Sequence, residues 1–307
     1  MKNIEKILFK LFLVSGLVVF VTMNIAFAEI TAKERQKIEH AVPNHAYVTP
    51  SQPRTILVMN LHMHDAQIRK GHDSIPHGNL ALKLMGERTG AFKTVFSNDT
   101  LMFTKENLAQ FDAICFANTA GVLCNDPTLR QNILDFVRQG KGFIGIHAAA
   151  ATFCQWPEYD QFPAFGKMLG AYEDGGHPWG PEETIYLDVV ETDHPLTQMF
   201  EQLTFPIQDE VFQFRDPYSR DRLRILLEIN TNKTETEGRR ILPERQKDLD
   251  FGMSWIRTHG KGRVFYSSLG HNKHIYWNEN LLKHYLAGIQ YALGDLQADA
   301  TPRHKLK

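Results

Sequence analysis

The chain has 307 residues and a formal charge of −1, with 14 histidines and three cysteines. A near-neutral balance excludes both a nucleic-acid footprint and a polybasic membrane patch, and three cysteines are too few for a disulfide scaffold. Met1–Ala28 divides into a Lys2, Lys6 and Lys10 flank, an apolar run from Leu11 to Ile25, and the small-x-small ending Ala26-Phe27-Ala28. That is the pattern of an export signal cleaved before Glu29. The stretch from Leu11 to Ala28 is just long enough to span a bilayer as an uncleaved anchor, and the Ala-x-Ala ending argues against that alternative. Cleavage takes three lysines and one glutamate, leaving 279 residues at a net charge of −3. No linker rich in Pro, Ser or Gly divides them. The expectation is a secreted or periplasmic protein with no membrane association after cleavage: an extension over 29–53, one α/β domain over 54–296, and a flexible tail over 297–307.

Residues 29–53 are polar, with a short helical stretch, and are expected to wrap the domain surface. Thr55–Leu61 is a continuous apolar run, the mark of a strand buried on both faces. His62 to His77 is a loop dense in His, Asp and Gly. Asn79–Thr89 has helical spacing, Phe92–Ser97 reads as a second strand, a helix starts near Thr104, and Phe111–Ala117 is the third strand. Asp126-Pro127 supplies a cap and first position for a helix that runs to Gly140, and Gly142–His147 is the fourth strand. Strands alternating with helices at this spacing imply a parallel sheet covered on both faces, with ligands bound beyond the carboxyl ends of its strands. After Ala171 the pattern is less regular. Strands are expected near Thr184–Val190, Val211–Phe214, Arg224–Glu228, Met253–Arg257 and Gly262–Ser267, then a closing amphipathic helix over Asn280–Leu293.

A histidine that ends a buried strand has to find partners for its ring nitrogens, because burying a polar ring otherwise costs free energy. His147 taken alone is compatible with a purely structural role. It is not alone: His271 follows another strand, His72 lies in the loop after the first, His177 sits in a Gly-rich loop, and Asp209-Glu210 adds carboxylates. Such a set suits a divalent ion, zinc first, with His72, His147, His177 and His271 as ligands. It equally suits acid–base work on a sugar without metal, with His147, Glu210 and His271 as the catalytic groups. His72, Asn118, His177 and the rings of Trp156 and Trp179 are the expected substrate contacts, since aromatic faces flanked by polar groups fit sugars. A nucleophile elbow needs Ser or Cys where Gly145-Ile146-His147-Ala148-Ala149 has histidine, and no glycine-rich turn follows the first strand, so a nucleotide cofactor is disfavoured. A Cys124–Cys154 bridge is permitted by the expected compartment, but an odd count fixes no pairing.

Seven segments in order resemble the ThuA-like (trehalose utilisation) family. They are Gly71–Ile75, Gly140–Ala149, Trp156–Tyr159, His177-Pro178, Asp193-His194-Pro195, Asp209-Glu210 and Gly260 through His271. The resemblance spans about Arg54 to Gly294. It implies a flavodoxin-like three-layer fold of the class I glutamine-amidotransferase type, with a mostly parallel central sheet, additional C-terminal strands and no amidotransferase cysteine. It also implies the use of trehalose or related disaccharides and glycosides, beside an oxidoreductase that makes 3-keto sugars. The positions that match the family's polar motifs are His72, His147, His177, Glu210 and His271; Ala151 and the segment 173–176 depart from its pattern. The expected function is therefore hydrolysis, elimination or isomerisation of a small sugar, with a non-catalytic sugar-binding protein as the second reading. A homodimer is left open.

Overall fold

In the computed structural model, which describes residues 30–156, 158–173 and 176–304, the apolar runs become the strands of one nine-stranded sheet. Strands β1 (Thr55–Met59), β2 (Lys93–Phe96), β3 (Ala113–Ala117) and β4 (Gly142–Ile146) come from the alternating half of the chain. Strands β5 (Thr184–Val189), β6 (Thr204–Gln208), β7 (Arg224–Ile229), β8 (Gly252–His259) and β9 (Gly262–Ser267) come from the rest. The order is β6-β5-β7-β8-β9-β4-β3-β1-β2. From β9 to β2 every pairing is parallel, and from β6 to β9 every pairing is antiparallel. The expected three-layer α/β architecture is present, and its additional strands are five of the nine in the sheet.

Burial follows pairing. All five residues of β3 and of β4 are buried because helices cover both faces there, whereas β5 alternates buried residues with half-buried or exposed ones as a strand with one wetter face does. Helices α1 (Ala32–Ala41) and α2 (Ile75–Thr89) pack together, α3 (Pro127–Arg138) packs with α4 (Pro163–Leu169), and α5 (Glu279–Ala292) lies on β9 and β4. Each start is chemically marked. Thr31 and Glu34 form a capping box before α1, and Asp126 accepts from the Thr128 and Leu129 amides ahead of Pro127 in α3. Phe116, Phe143 and Phe165 interlock at centroid distances of 5.1 to 5.8 Å beneath α4. Truncating one of them to alanine is expected to cost about 3–5 kcal/mol.

The register places the site. Ala117 pairs with Ile146 and Ile146 with Ser267, so β3, β4 and β9 end level and the next residues, Asn118, His147 and Ser268, stand side by side.

Three expectations are corrected. Val211–Phe214 makes only isolated bridges, at Val211 and Phe214, because its apolar side chains floor the site instead of joining the sheet. The ninth strand is β6, whose Pro206 argues against a strand in sequence but is tolerated at a sheet edge. Residues 297–303 are not a loose tail: Arg224 binds the Asp299 carboxylate and the Thr301 carbonyl, and His194 Nε2 donates to the Asp299 carbonyl. Cys115, Cys124 and Cys154 are free thiols. The expected export signal lies outside the described residues, among which no helix is long and apolar enough to cross a membrane.

Candidate metal centre

His147 takes the left-handed region, with φ 48°, where the chain leaves β4 and winds into a short 3-10 helix over His147–Ala151. A bulky residue held there is strained, and such strain is concentrated at functional turns. Its ring is fully buried. Nδ1–H donates to the Ser268 carbonyl at 2.8 Å, which fixes the tautomer and leaves Nε2 with a lone pair and no hydrogen-bond partner. Phe212 stacks on the ring with centroids 4.7 Å apart and planes 18° apart, so the direction of that lone pair is set.

Three more groups converge on it. One ligand atom from each of His72, His147, Glu210 and His271 lies within 4.8 Å of every other. Glu210 Oε1 is 3.9 Å from His147 Nε2 and 3.7 Å from His271 Nε2. The His72 ring lies 4.9 Å, centroid to centroid, from both His147 and His271, and its Nδ1 is also buried without a partner. A tetrahedral zinc ion with bonds near 2 Å needs donor atoms about 3.3 Å apart, so the group would close by about 1 Å or a little more. Three imidazoles and one carboxylate form a borderline donor set that suits zinc and its neighbours. The unpartnered ring nitrogens fit a cation: each is a lone pair that burial would otherwise penalise.

Electrostatics agree with neutral, ligand-ready rings. Burial first, then the neighbouring His72 and His271 rings, hold the His147 ring well below the usual imidazole range. The His72 ring is pushed down to about 3 by burial and then by the rings of His271, His62 and His177. Burial likewise lowers the His177 ring, opposed by the Glu210 charge. Asp209, next to Glu210, is fully buried and pushed up to about 8, while the amides of Gly270, Asn272 and His271 pull it back down.

The expected site residues separate into four groups. His72, His147, Glu210 and His271 meet. His177 does not join the four: it stands at the mouth, 39% exposed, with Nε2 3.6 Å from Glu210 Oε1 and 3.9 Å from Glu173 Oε1. The carboxylate therefore replaces it in the candidate ligand set. Asn118 and Trp179 are corrected as substrate contacts. Asn118 is buried and donates through Nδ2 to the Gly270 carbonyl and the Tyr276 hydroxyl. Trp179 is 1% exposed, donates Nε1–H to the Glu235 carbonyl, and packs edge-on against Phe251 as core. Trp156 is half-buried and stacks on His64 of a small hairpin, Met63–His64 with Gln67–Ile68. Ser268 and Phe212, which aim His147, carried no chemical signal in sequence, because one acts through its backbone carbonyl and the other looks like strand. Two clefts, of about 680 and 830 Å³, lie by Lys141 and by Lys93 at the amino ends of the parallel strands, away from the histidines.

A family model described as ThuA, trehalose utilisation, matches residues 61–292. No curated protein matches the chain. Among solved structures, a ThuA-like protein from Bacteroides uniformis superposes with a TM-score of 0.60 at 17% identity, over 79% of this chain and 93% of its own. A ThuA-like protein from Parabacteroides merdae gives 0.54 at 17% identity, over 79% and 90%. A cytoplasmic protein from Salmonella typhimurium gives 0.52 at 13% identity, over 78% and 98%. At these identities the likeness establishes the fold.

Proposed function

Because the chain belongs to the ThuA family of trehalose utilisation, a carbohydrate-related family, we propose that it is an enzyme acting on a disaccharide, glycoside or 3-keto-sugar. Its place of work is outside the cytoplasm, in line with the export signal read over Met1–Ala28. The observation that carries the reading is the buried, unpartnered Nε2 of His147, directed at three further donor groups. His72, His147, His271 and Glu210 would hold a divalent cation, zinc first, and such an ion supplies Lewis acidity towards a substrate oxygen. The chain's own groups supply the rest. Ser268 and Phe212 keep His147 aimed. His177, facing both solvent and two carboxylates, carries a proton between a sugar hydroxyl and Glu210 or Glu173. Hydrolysis, elimination and isomerisation all use that pairing of a polarised oxygen with a mobile proton. An oxidoreductase that converts a hydroxyl to a carbonyl is the class of enzyme that supplies a 3-keto substrate.

Elemental analysis of the purified protein, followed by assays on disaccharides and 3-keto-glycosides with Zn²⁺, Mn²⁺ or Mg²⁺ supplied, tests the proposal. The expected result is one bound ion per chain and a turnover that His147→Ala abolishes while sugar affinity survives. Sugar binding without turnover under all three ions would overturn the enzyme reading in favour of a sugar-binding protein.

A further inference from the structure

The segments that carry the candidate ligands meet at one peptide, Gly270. Its N–H donates to Asp209 Oδ2 at 2.6 Å, and the next two amides reach the same carboxylate, His271 N to Oδ2 at 3.3 Å and Asn272 N to Oδ1 at 2.6 Å. Its carbonyl accepts from Ser74 Oγ at 2.8 Å and from Asn118 Nδ2 and the Tyr276 hydroxyl at 3.3 Å each. The lacing is reciprocal, because Asn272 Nδ2 donates back to the Gln208 carbonyl at 3.2 Å and to that of Pro181 at 2.7 Å. Only glycine fits at the crossing: φ is 138°, and a Cβ would lie 2.9 Å from Ile146 Cγ2 and 3.2 Å from His147 Cβ.

The consequence is positional. Ser74 lies two residues from His72, Asp209 adjoins Glu210, and Gly270 adjoins His271, so three ligand segments are tied through one backbone unit pressed against the fourth. A fully buried carboxylate is costly unless donors compensate it, and here three backbone amides offset part of that cost. We propose that Asp209 is the positioning residue of the centre, setting the register between Glu210 and His271 so that both reach one cation. This inference rests on the metal reading above.

Asparagine offers one acceptor oxygen where aspartate offers two, so Asp209→Asn turns an NH₂ group onto either the Gly270 and His271 amides or the Asn272 amide. With Co²⁺ as the probe, Asp209→Asn is expected to bind about 10–100-fold more weakly than wild type and to shift the visible absorption bands, because supporting groups around metal ligands carry that much affinity. Ser74→Ala, which loosens the same peptide from its other side, is expected to move both readouts in the same direction by less. A merely structural role lowers the metal-free melting temperature and leaves the bands in place. If wild type binds Co²⁺ and both variants match it in affinity and band position, the role of Asp209 is overturned and the centre stands; if Asp209→Asn does not fold, Ser74→Ala alone decides. Wild type that takes up no Co²⁺ overturns the centre itself.

Discussion

His147 and His284 are both fully buried in the same domain, one at the carboxyl ends of the parallel strands and the other on the buried side of α5. His284 has both nitrogens occupied: Nδ1–H donates to the Leu196 carbonyl at 2.6 Å, and Nε2 faces the Ser254 hydroxyl at 2.8 Å. His147 has only Nδ1 occupied, and its other nitrogen points at three donor groups. At equal burial the two differ in what surrounds the ring: His284 is satisfied within the fold, whereas His147 keeps one unpartnered nitrogen beside three further donor groups. The sharpest way to break this contrast is to exchange the two truncations. His147→Ala should cost Zn²⁺ affinity at least about 100-fold, since even supporting groups are worth about 10–100-fold, on top of the destabilisation that a cavity and the orphaned Ser268 carbonyl bring. His284→Ala should leave Zn²⁺ affinity unchanged but destabilise the fold by about 2–4 kcal/mol, through a cavity and an orphaned carbonyl. Calorimetry of Zn²⁺ binding and thermal melts read both; equal effects on both readouts would dissolve the distinction.

Much of the parallel half was legible because burial on both faces leaves an apolar run in sequence, as in Phe111–Ala117 and Gly142–His147. The antiparallel half was less so. In β6 a proline sits mid-strand, and in Val211–Phe214 the apolar run serves as the floor under His147 and His177. The four converging residues were readable as types that follow strands. What joins them was not, because Ser268 works through a carbonyl, Gly270 through both of its backbone groups, and Asp209 through amides 61 to 63 positions away. Trp179 misled for the opposite reason: a Gly-rich, polar neighbourhood suggested a rim, yet its indole is satisfied in the core.

A pH effect on the order of 3 kcal/mol when fully expressed follows from the burial of the His284 ring. Burial lowers the His284 ring from 6.5 to about 4, with the Leu196 carbonyl pulling it up and the nearby His194 pushing it down. In the unfolded chain the same ring takes up a proton near the ordinary value. Its contribution to stability is therefore complete above about pH 6.5 and is lost progressively as the pH falls towards 4. Urea titrations between pH 7 and 4.5 should show stability falling with acid, and His284→Gln should flatten part of that slope. An unchanged slope would mean that His284 is already charged in the folded state.

His194 extends the contrast. Asp193-His194-Pro195 is one of the segments that carry the family resemblance, and both nitrogens of this ring are used. Nδ1 accepts from the Leu196 amide at 3.2 Å, and Nε2–H donates to the Asp299 carbonyl at 3.1 Å. By partner count it belongs with His284. It anchors the segment after α5, which Arg224 holds independently through Asp299 and Thr301. Losing one anchor of several should cost about 1 kcal/mol, the net worth of a typical hydrogen bond. His194→Ala is thus expected to raise hydrogen exchange at the amides of 297–303 while leaving Zn²⁺ affinity and sugar turnover at their wild-type values. A loss of turnover with unchanged exchange would show that satisfied ring nitrogens do not mark a structural histidine in this fold, and the assignment of His284 would fall with that of His194.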